Sequence, residues 1–369
     1  MSSEEGGHRG VARALFPPMG PRGVFNIVFP SSPPARLHFC DGVNDFARGV
    51  NSFYGETCTL LVRNNPVPSL PVGNDFFPFD GAQYKTMAGT EEERLESLLE
   101  AFSQSTPSII ICGRGGHGAS RLLPHLTEDV ISRLLEGLGK HRFVGFSDAT
   151  FLHNFFRIEC RTRRPNAPRL VTVHGPMPMT GSLFWAAGRD ADRNLLYKCM
   201  RENSLSSAFP NIQGDTLCAG TCAGRLVGGN LACLCACEGT RWATERGGGG
   251  EALILLLEDA GETPYRIDRM MMQLWNTGLL KACAGIVLGD FFADEKANTT
   301  AFEDFNGERH FWKVVVGLGQ LGVPVMHHAP VGHGDSHNSP CALGALHKLE
   351  CYGSGKAVLS ILEESGPPF

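Results

Sequence analysis

Buried apolar runs and amphipathic segments alternate along the first half of the chain. Ser108 to Cys112 (SIIIC) and Phe143 to Phe146 are apolar almost throughout, which predicts buried strands. Glu91 to Ser103 places its leucines three or four positions apart, as in an amphipathic helix, and further helices are predicted over Glu128 to Leu138 and Ala149 to Phe156. Apolar strands that alternate with helices indicate a parallel sheet covered on both faces, so the pattern predicts an α/β domain.

The pattern changes along the chain and predicts two domains, a number that the length of 369 residues also favours. Residues 1–20 are rich in glycine, proline and charge and are expected to be flexible. Residues 21–180 form the predicted α/β domain, and the polar stretch over 181–215 is interpreted as a linker or excursion. Residues 216–369 carry new apolar runs, such as Ala252 to Leu257 (ALILLL), and are expected to form the second domain.

Composition narrows the class of protein and its partners. The formal net charge of −5 provides no basic surface for nucleic acid or an anionic membrane, so neither is expected as a partner. Neither a signal-peptide core nor an apolar run of membrane-spanning length occurs, which predicts no membrane span. The 13 cysteines are odd in number and lack the spacing of a disulfide framework, which favours a reduced, cytoplasmic protein.

The candidate chemistry begins at Gly145-Phe146-Ser147-Asp148, between a predicted strand and a predicted helix. A serine on such a turn has an exposed hydroxyl, and the helix N-terminus behind it can offer N–H groups to an oxyanion. Only half of the G-x-S-x-G pattern is present, since Ala149 replaces the second glycine. Two interpretations of Ser147 therefore stay open, a nucleophile or a residue that caps the following helix.

A glycine-rich loop, Arg114-Gly115-Gly116-His117-Gly118, follows the SIIIC strand. Ligands gather at the carboxyl ends of the strands in a parallel sheet, and both this loop and the serine turn follow such ends. Gly115 and Gly116 are therefore predicted to lie near Ser147.

A nucleophilic serine needs a base, and the base needs an acceptor that orients it. Among 13 histidines, His333 stands out because Gly332 and Gly334 flank it and allow a tight loop, although a water-exposed loop histidine could show the same pattern. Glu258 ends the ALILLL run, so its carboxylate leaves a buried strand beside a loop. Asp259 or Glu262 could take the orienting role instead.

Eight segments of the chain resemble the LD-carboxypeptidase family of serine peptidases, in the order in which that family has them. They span almost the whole chain beyond residue 20, which makes the resemblance specific although each segment alone is short. The segments are FPSSPPAR (29–36), CGRGGHGASRLLPHL (112–126), VGFSDATFLH (144–153), VHGPM (173–177), GRLVGGNLACLCACEGT (224–240), LLLEDAGETPYRIDRMMMQLWNTGLL (255–280), GIVLGDF (285–291) and VGHG (331–334).

The resemblance implies roles for individual residues and an overall architecture. The implied fold is an N-terminal α/β domain of flavodoxin-like type with the nucleophile and a C-terminal β-rich domain with the rest of the triad. The site lies between the domains, and the protein is expected to be a homodimer that needs no cofactor or metal. The implied site residues are Ser147 as nucleophile, Glu258 as acid, His333 as base, Gly116 and Asp148 as N–H donors of the oxyanion hole, and Gly115 and His117 as substrate-binding residues.

Family members cleave the L,D bond that releases terminal D-alanine from murein tetrapeptides, so a small peptide substrate is expected. A related branch acts on peptidyl nucleotides of the microcin C type, and the murein branch is more similar to this sequence. Two departures affect substrate preference. His117 replaces the family's usual aromatic residue, and His327-His328-Ala329-Pro330 replaces a more apolar approach to the GHG loop.

Two further functions are considered as alternatives. A metallohydrolase could use five side chains near the C-terminus that can ligate metals, although no H-E-x-x-H spacing is present. A non-catalytic ligand-binding protein could keep the scaffold, since fold does not fix function. The five candidate metal ligands are His327, His328, His333, Asp335 and His337.

Overall fold

The chain forms an open sheet and a closed barrel. The computed structural model describes residues 14–15, 24–32, 45–53, 59–62, 87–165, 168–179, 190–244, 251–291, 302–334 and 337–362. In chain order the strands in these ranges are β1 Ala14–Leu15, β2 Val24–Val28, β3 Thr59–Val62, β4 Ile109–Cys112, β5 Arg142–Gly145, β6 Arg169–Leu170, β7 Thr172–His174, β8 Ile212–Cys218, β9 Gly220–Asn230, β10 Leu253–Glu258, β11 Gly285–Leu288, β12 Val325–His327, β13 Cys341–Leu343, β14 Leu346–Cys351 and β15 Lys356–Ile361.

The helices alternate with these strands, mostly in the N-terminal half. Short 3-10 turns cover Ala119–His125, Ser147–Ala149, Glu303–Phe305 and Leu318–Gln320, and a π-helical turn covers Phe311–Val315. The α-helices are residues 45–53 (α1), Glu91–Phe102 (α2), Glu128–Leu138 (α3), Thr150–Arg163 (α4), Asp190–Arg201 (α5), Leu205–Ala208 (α6), Leu231–Cys237 (α7), Pro264–Asn276 (α8), Leu279–Ala282 (α9) and Glu308–His310 (α10).

The open sheet confirms the predicted flavodoxin-like class. Its strand order is β13-β7-β5-β4-β2-β3, and the five strands from β7 to β3 run parallel. Numbered among themselves, these five strands have the order 2-1-3-4-5 that is typical of flavodoxin-like sheets. The strand order reverses between β2 and β4, so the loops after these two strands flank a crevice in which such folds place ligands.

Apolar side chains on both faces hold the open sheet in place. One face packs against α2, α3 and α4, with Phe102, Leu134 and Phe155 in a shared core. The other face packs against α1 and α5, which contribute Phe46 and Leu196. Because both faces are covered, β4 and β5 are fully buried, and this explains why their sequences lack polar alternation.

The C-terminal half forms a closed seven-stranded barrel, which confirms the predicted β-rich domain. The strand order is β10-β11-β12-β8-β15-β14-β9, with β9 to β12 parallel to one another. One cluster receives apolar side chains from all seven strands, among them Ile254 and Leu256, and therefore fills the interior. Leu255 and Leu257 point to the other face, where α8 covers them.

Parts of the N-terminal and linker segments lie within the described ranges and form regular elements. Of residues 1–20, predicted as flexible, only Ala14–Leu15 lie inside the described ranges, and they pair with β6. Within 181–215, interpreted as a linker, α5, α6 and the start of β8 are regular elements. The inner face of α5, with Leu196 and Met200, is fully buried, while its charged outer face gave the segment its polar character.

Candidate active site

The serine turn has a conformation that few residues adopt. Ser147 follows the end of β5 with φ +60°, in the left-handed region, and α4 begins three residues later. Such a backbone costs an L-residue about 1–2 kcal/mol. The capping interpretation fails, because Phe146 occupies the cap position of the turn and neither the turn nor α4 has a side-chain cap hydrogen bond. The geometry is that of a nucleophile elbow.

The glycine loop lies directly against this turn, as the sequence predicts. A Cβ added at Gly115 would lie 2.8 Å from Ser147 Cβ and 3.0 Å from Ser147 Oγ, so only glycine fits there. Gly116 has φ +96° and approaches Ser32, to whose Cβ a side chain would come within 2.7 Å. Ser32 also holds the loop, because its N–H donates to Gly115 O at 3.2 Å and its Oγ accepts from His117 N–H at 3.0 Å.

Two N–H groups beside the serine have no acceptor among the described residues, those of Gly116 and Asp148. The Asp148 carboxylate points away from solvent, where it accepts from Ala119 N–H at 2.7 Å. Burial raises the pKa of Asp148, and this hydrogen bond offsets part of the effect. Its side chain therefore fixes the loop, while its main-chain N–H remains available to a ligand.

A histidine–carboxylate pair sits at the barrel end of the site. Glu258, the last residue of β10, is fully buried, and its Oε2 lies 2.6 Å from His333 Nδ1. Burial raises the pKa of Glu258, but His333 and then His174 more than offset it and lower the pKa to about 2. Burial lowers the pKa of His333, yet Glu258 reverses the direction and raises it. A Cβ at Gly332 would lie 2.9 Å from Glu258 Oε2, which explains the glycine before the histidine.

Contacts across the two sheets bring this pair to the serine turn. The rings of Phe146 and His333 are 4.8 Å apart, and Phe146 is the residue before the serine. Behind the turn, Asn230 N–H donates to Thr150 Oγ1 at 3.0 Å and joins the end of β9 to the start of α4. No hydrogen bond links Ser147 Oγ to His333 in the structure as described, and such bonds often form only when substrate binds.

Three groups around the pair were not predicted from the sequence. His174 Nε2 lies 3.7 Å from Glu258 Oε1, with both side chains fully buried. Asp290 accepts from Gly334 N–H at 3.1 Å. Asn338 accepts from Gly332 N–H at 3.2 Å and so fixes the other side of the loop. The VHGPM motif contained the signal for His174, but its partner is 84 positions away.

The five residues considered for a metallohydrolase do not form one cluster where the structure describes them. His333 pairs with Glu258, while His337 Nδ1 lies 3.2 Å from Asp192 Oδ1 on α5. His327 and His328 lie beside Asp215, and Asp335 is outside the described residues. The four described residues of this set therefore do not come together in one metal site.

Comparison with known proteins decides the family. The model of the LD-carboxypeptidase N-terminal domain matches residues 62–164, and that of the C-terminal domain matches residues 223–349. The murein tetrapeptide carboxypeptidase of Pseudomonas aeruginosa is 30% identical over 257 residues, which are 69% of this chain and 76% of that protein. The chain belongs to the LD-carboxypeptidase family. It is a serine-type carboxypeptidase, and the resemblance seen in its motifs is confirmed.

Solved structures share the fold over nearly the full length. The muramoyltetrapeptide carboxypeptidase from Oxalobacter formigenes superposes with a TM-score of 0.64 at 23% identity, covering 92% of this chain and all of that one. A microcin C7 self-immunity protein gives a TM-score of 0.66 at 19% identity, with 95% and 98% covered. At these identities the two neighbours support the architecture alone and do not separate the murein branch from the microcin branch.

Proposed function

We propose that this LD-carboxypeptidase hydrolyses the L,D-peptide bond of a murein-type tetrapeptide and releases terminal D-alanine. Ser147 is the nucleophile, His333 the general base and Glu258 the acid that orients it. The position of His333 carries the proposal, because this histidine contacts the carboxylate of Glu258 on one side and the ring of Phe146, beside the serine, on the other.

The chemistry proceeds through an acyl-enzyme. Ser147 Oγ attacks the scissile carbonyl carbon and forms a C–O bond, while His333 Nε2 takes the hydroxyl proton. The carbonyl oxygen becomes an oxyanion that accepts from the free N–H groups of Gly116 and Asp148. When the C–N bond breaks, His333 gives the proton to the leaving amine of D-alanine. Water, deprotonated by the same histidine, then hydrolyses the ester.

The electrostatics of the pair support this sequence of proton transfers. Glu258 stays ionised because its pKa lies near 2, so it can stabilise the imidazolium that forms during attack. Its hydrogen bond to Nδ1 leaves Nε2 of His333 for the serine. Gly115 lies against Ser147 in the same loop as His117, and we propose that both residues contact the substrate.

Assembly and location are also proposals. We expect a homodimer in the cytoplasm with no nucleic-acid or membrane partner, as the family resemblance and net charge suggest. The eleven cysteines in the described ranges are free thiols, which fits a reducing compartment. No helix in the same ranges is long and apolar enough to cross a membrane. Light scattering during size-exclusion chromatography measures the oligomer, and cell fractionation the location.

The deciding experiment uses three substrates and mass spectrometry of the products. A murein tetrapeptide should lose D-alanine, whereas its all-L isomer and a peptidyl nucleotide should be cleaved at least about tenfold more slowly. Ser147→Ala should remain folded and form no acyl-enzyme, while Ser132→Ala, at an exposed position on α3, should keep wild-type turnover. Preferred cleavage of the peptidyl nucleotide would overturn the substrate, and normal turnover by Ser147→Ala would overturn the nucleophile.

A further inference from the structure

A second group of ionisable side chains lies on the barrel, apart from the triad. Asp215 on β8 and His327 on β12 are register partners in adjacent antiparallel strands, and His328 follows directly. One ligand atom from each of these three residues lies within 4.8 Å of the others. Ions bound at 2.0–2.2 Å hold their ligand atoms roughly 3.4 Å apart, so small side-chain movements would close this set around one ion.

The burial of the His327 side chain without hydrogen-bond partners points to a ligand. Its side chain is 5% exposed, and neither ring nitrogen has a hydrogen-bond partner in the structure as described. A buried imidazole without partners leaves both a donor and an acceptor unsatisfied, which is unfavourable. Its ring stacks near that of His328, with centroids 4.1 Å apart, so one of its nitrogens faces the same small space as Asp215 and His328.

His328 already has the surroundings that metal-bound histidines require. Its Nδ1 lies 2.8 Å from Asp215 Oδ2, and its Nε2 lies 3.0 Å from Glu308 Oε2. Glu308 is in turn fixed by Trp312, whose indole N–H donates to Oε1 at 3.1 Å. A carboxylate that accepts from the second ring nitrogen is the usual support of a zinc-bound histidine.

We propose that Asp215, His327 and His328 bind one divalent transition-metal ion, with Zn²⁺ as the best match, and that Glu308 orients His328 from outside. Two imidazoles and a carboxylate suit zinc and its neighbours far better than Mg²⁺ or Ca²⁺, which take oxygen ligands. Binding replaces the proton between His328 Nδ1 and Asp215 Oδ2 by the metal, and that proton leaves to solvent. The site departs from the expectation of no metal drawn from the sequence.

The position of the site suggests what it does. It ties β8 to the end of β12, and five residues after His328 the same segment reaches His333. Asp215 and His328 are each more than half exposed, so an ion can enter from solvent. The inference concerns a structural tie and does not depend on the proposed hydrolysis, because no member of the set contacts Ser147 or Glu258 in the described contacts.

Two ligand variants and one matched control test the proposal on the full chain. His328→Asn removes a ligand while keeping a residue that tolerates the positive φ of this position, 54°. Asp215→Asn removes the carboxylate at an exposed strand position. His310→Asn is the control, since His310 is an exposed histidine on α10, two residues from Glu308, and not a member of the set.

The measurement is titration of chelator-treated protein with Zn²⁺ by calorimetry, together with the visible spectrum after Co²⁺ loading. Wild type and His310→Asn should bind one equivalent, and both ligand variants should bind at least about 100-fold more weakly. The Co²⁺ spectrum should lack the thiolate charge-transfer band that binding to cysteines would produce. Thermal unfolding should shift upward with Zn²⁺ in wild type and not in the variants.

Three results would overturn the site. They are no saturable binding up to about 100 µM free metal, equal binding by wild type and both ligand variants, or a cobalt–thiolate band. Circular dichroism of the metal-free variants shows whether they fold, and two independent ligand variants keep the result interpretable if one of them does not.

Discussion

The strained turn at Ser147 makes a stability prediction that is independent of any substrate. Ser147→Ala and Ser147→Gly both remove the hydroxyl, and they differ in how the new residue tolerates φ +60° and in the backbone freedom that it loses on folding. Alanine keeps the full left-handed penalty of about 1–2 kcal/mol, whereas glycine has none. Glycine loses more backbone freedom on folding, about 0.5–1 kcal/mol relative to alanine. The difference leaves Ser147→Gly more stable than Ser147→Ala by about 0.5–1 kcal/mol.

A matched pair on a helix should give the opposite order. Ser132 is an exposed residue inside α3, where glycine is about 1 kcal/mol worse than alanine. The difference in the free energy of unfolding between the glycine and alanine variants should therefore change by about 1.5–2 kcal/mol from position 132 to position 147. Errors common to all four variants cancel in this comparison.

Urea denaturation followed by circular dichroism measures this contrast from the shift in midpoint at constant slope. Both Ser147 variants should also lack turnover, whereas both Ser132 variants should retain it. If glycine is the less stable choice at both positions, the left-handed conformation at Ser147 costs alanine no free energy, and the turn is not strained.

Three further predictions concern catalysis. Glu258→Gln should lower kcat by about 10⁴, and turnover within tenfold of wild type would exclude the orienting role. Gly115→Ala should lower kcat at least about 100-fold, because its Cβ would overlap Ser147, whereas Gly353→Ala, with open space around it, should be neutral. The pKa of His333 is raised, so activity should rise with pH through a limb above about 6.5, and Glu258→Gln should move that limb to lower pH because it removes the largest contribution that opposes the effect of burial. If the limb does not move, Glu258 does not raise the pKa of His333.

The ends of buried strands could be predicted from the sequence because their chemistry is local. A polar residue, Glu258 or Ser147, stands at the end of each of two buried apolar runs, and such a residue is visible in the sequence. The Gly115 loop followed from the same reasoning, since parallel strands end at one edge. Their positions after parallel strands were enough to predict that Gly115 lies near Ser147.

The 11-residue strand β9 could not be predicted, for a reason visible in its contacts. Its glycines lower the strand propensity of the sequence, but the barrel requires them. A Cβ at Gly224 would lie 2.8 Å from Ala252 O, and a Cβ at Gly229 would lie 2.6 Å from Thr150 Oγ1. The glycines that lower the strand propensity of this segment are also the residues that let β9 approach β10 and α4.

The contact of His333 with Phe146, beside the serine, depends on a crossing between the two sheets that no local pattern encodes. The segment with His333 leaves the barrel at the end of β12 and enters the open sheet as β13, where Cys341 pairs with His174 of β7. One end of the loop is therefore fixed in the barrel and the other in the sheet that carries the serine. The same crossing places His174 against Glu258. The motifs supply the chemical groups of the site. They come together because β13, which lies between two barrel strands in the chain, pairs with the open sheet.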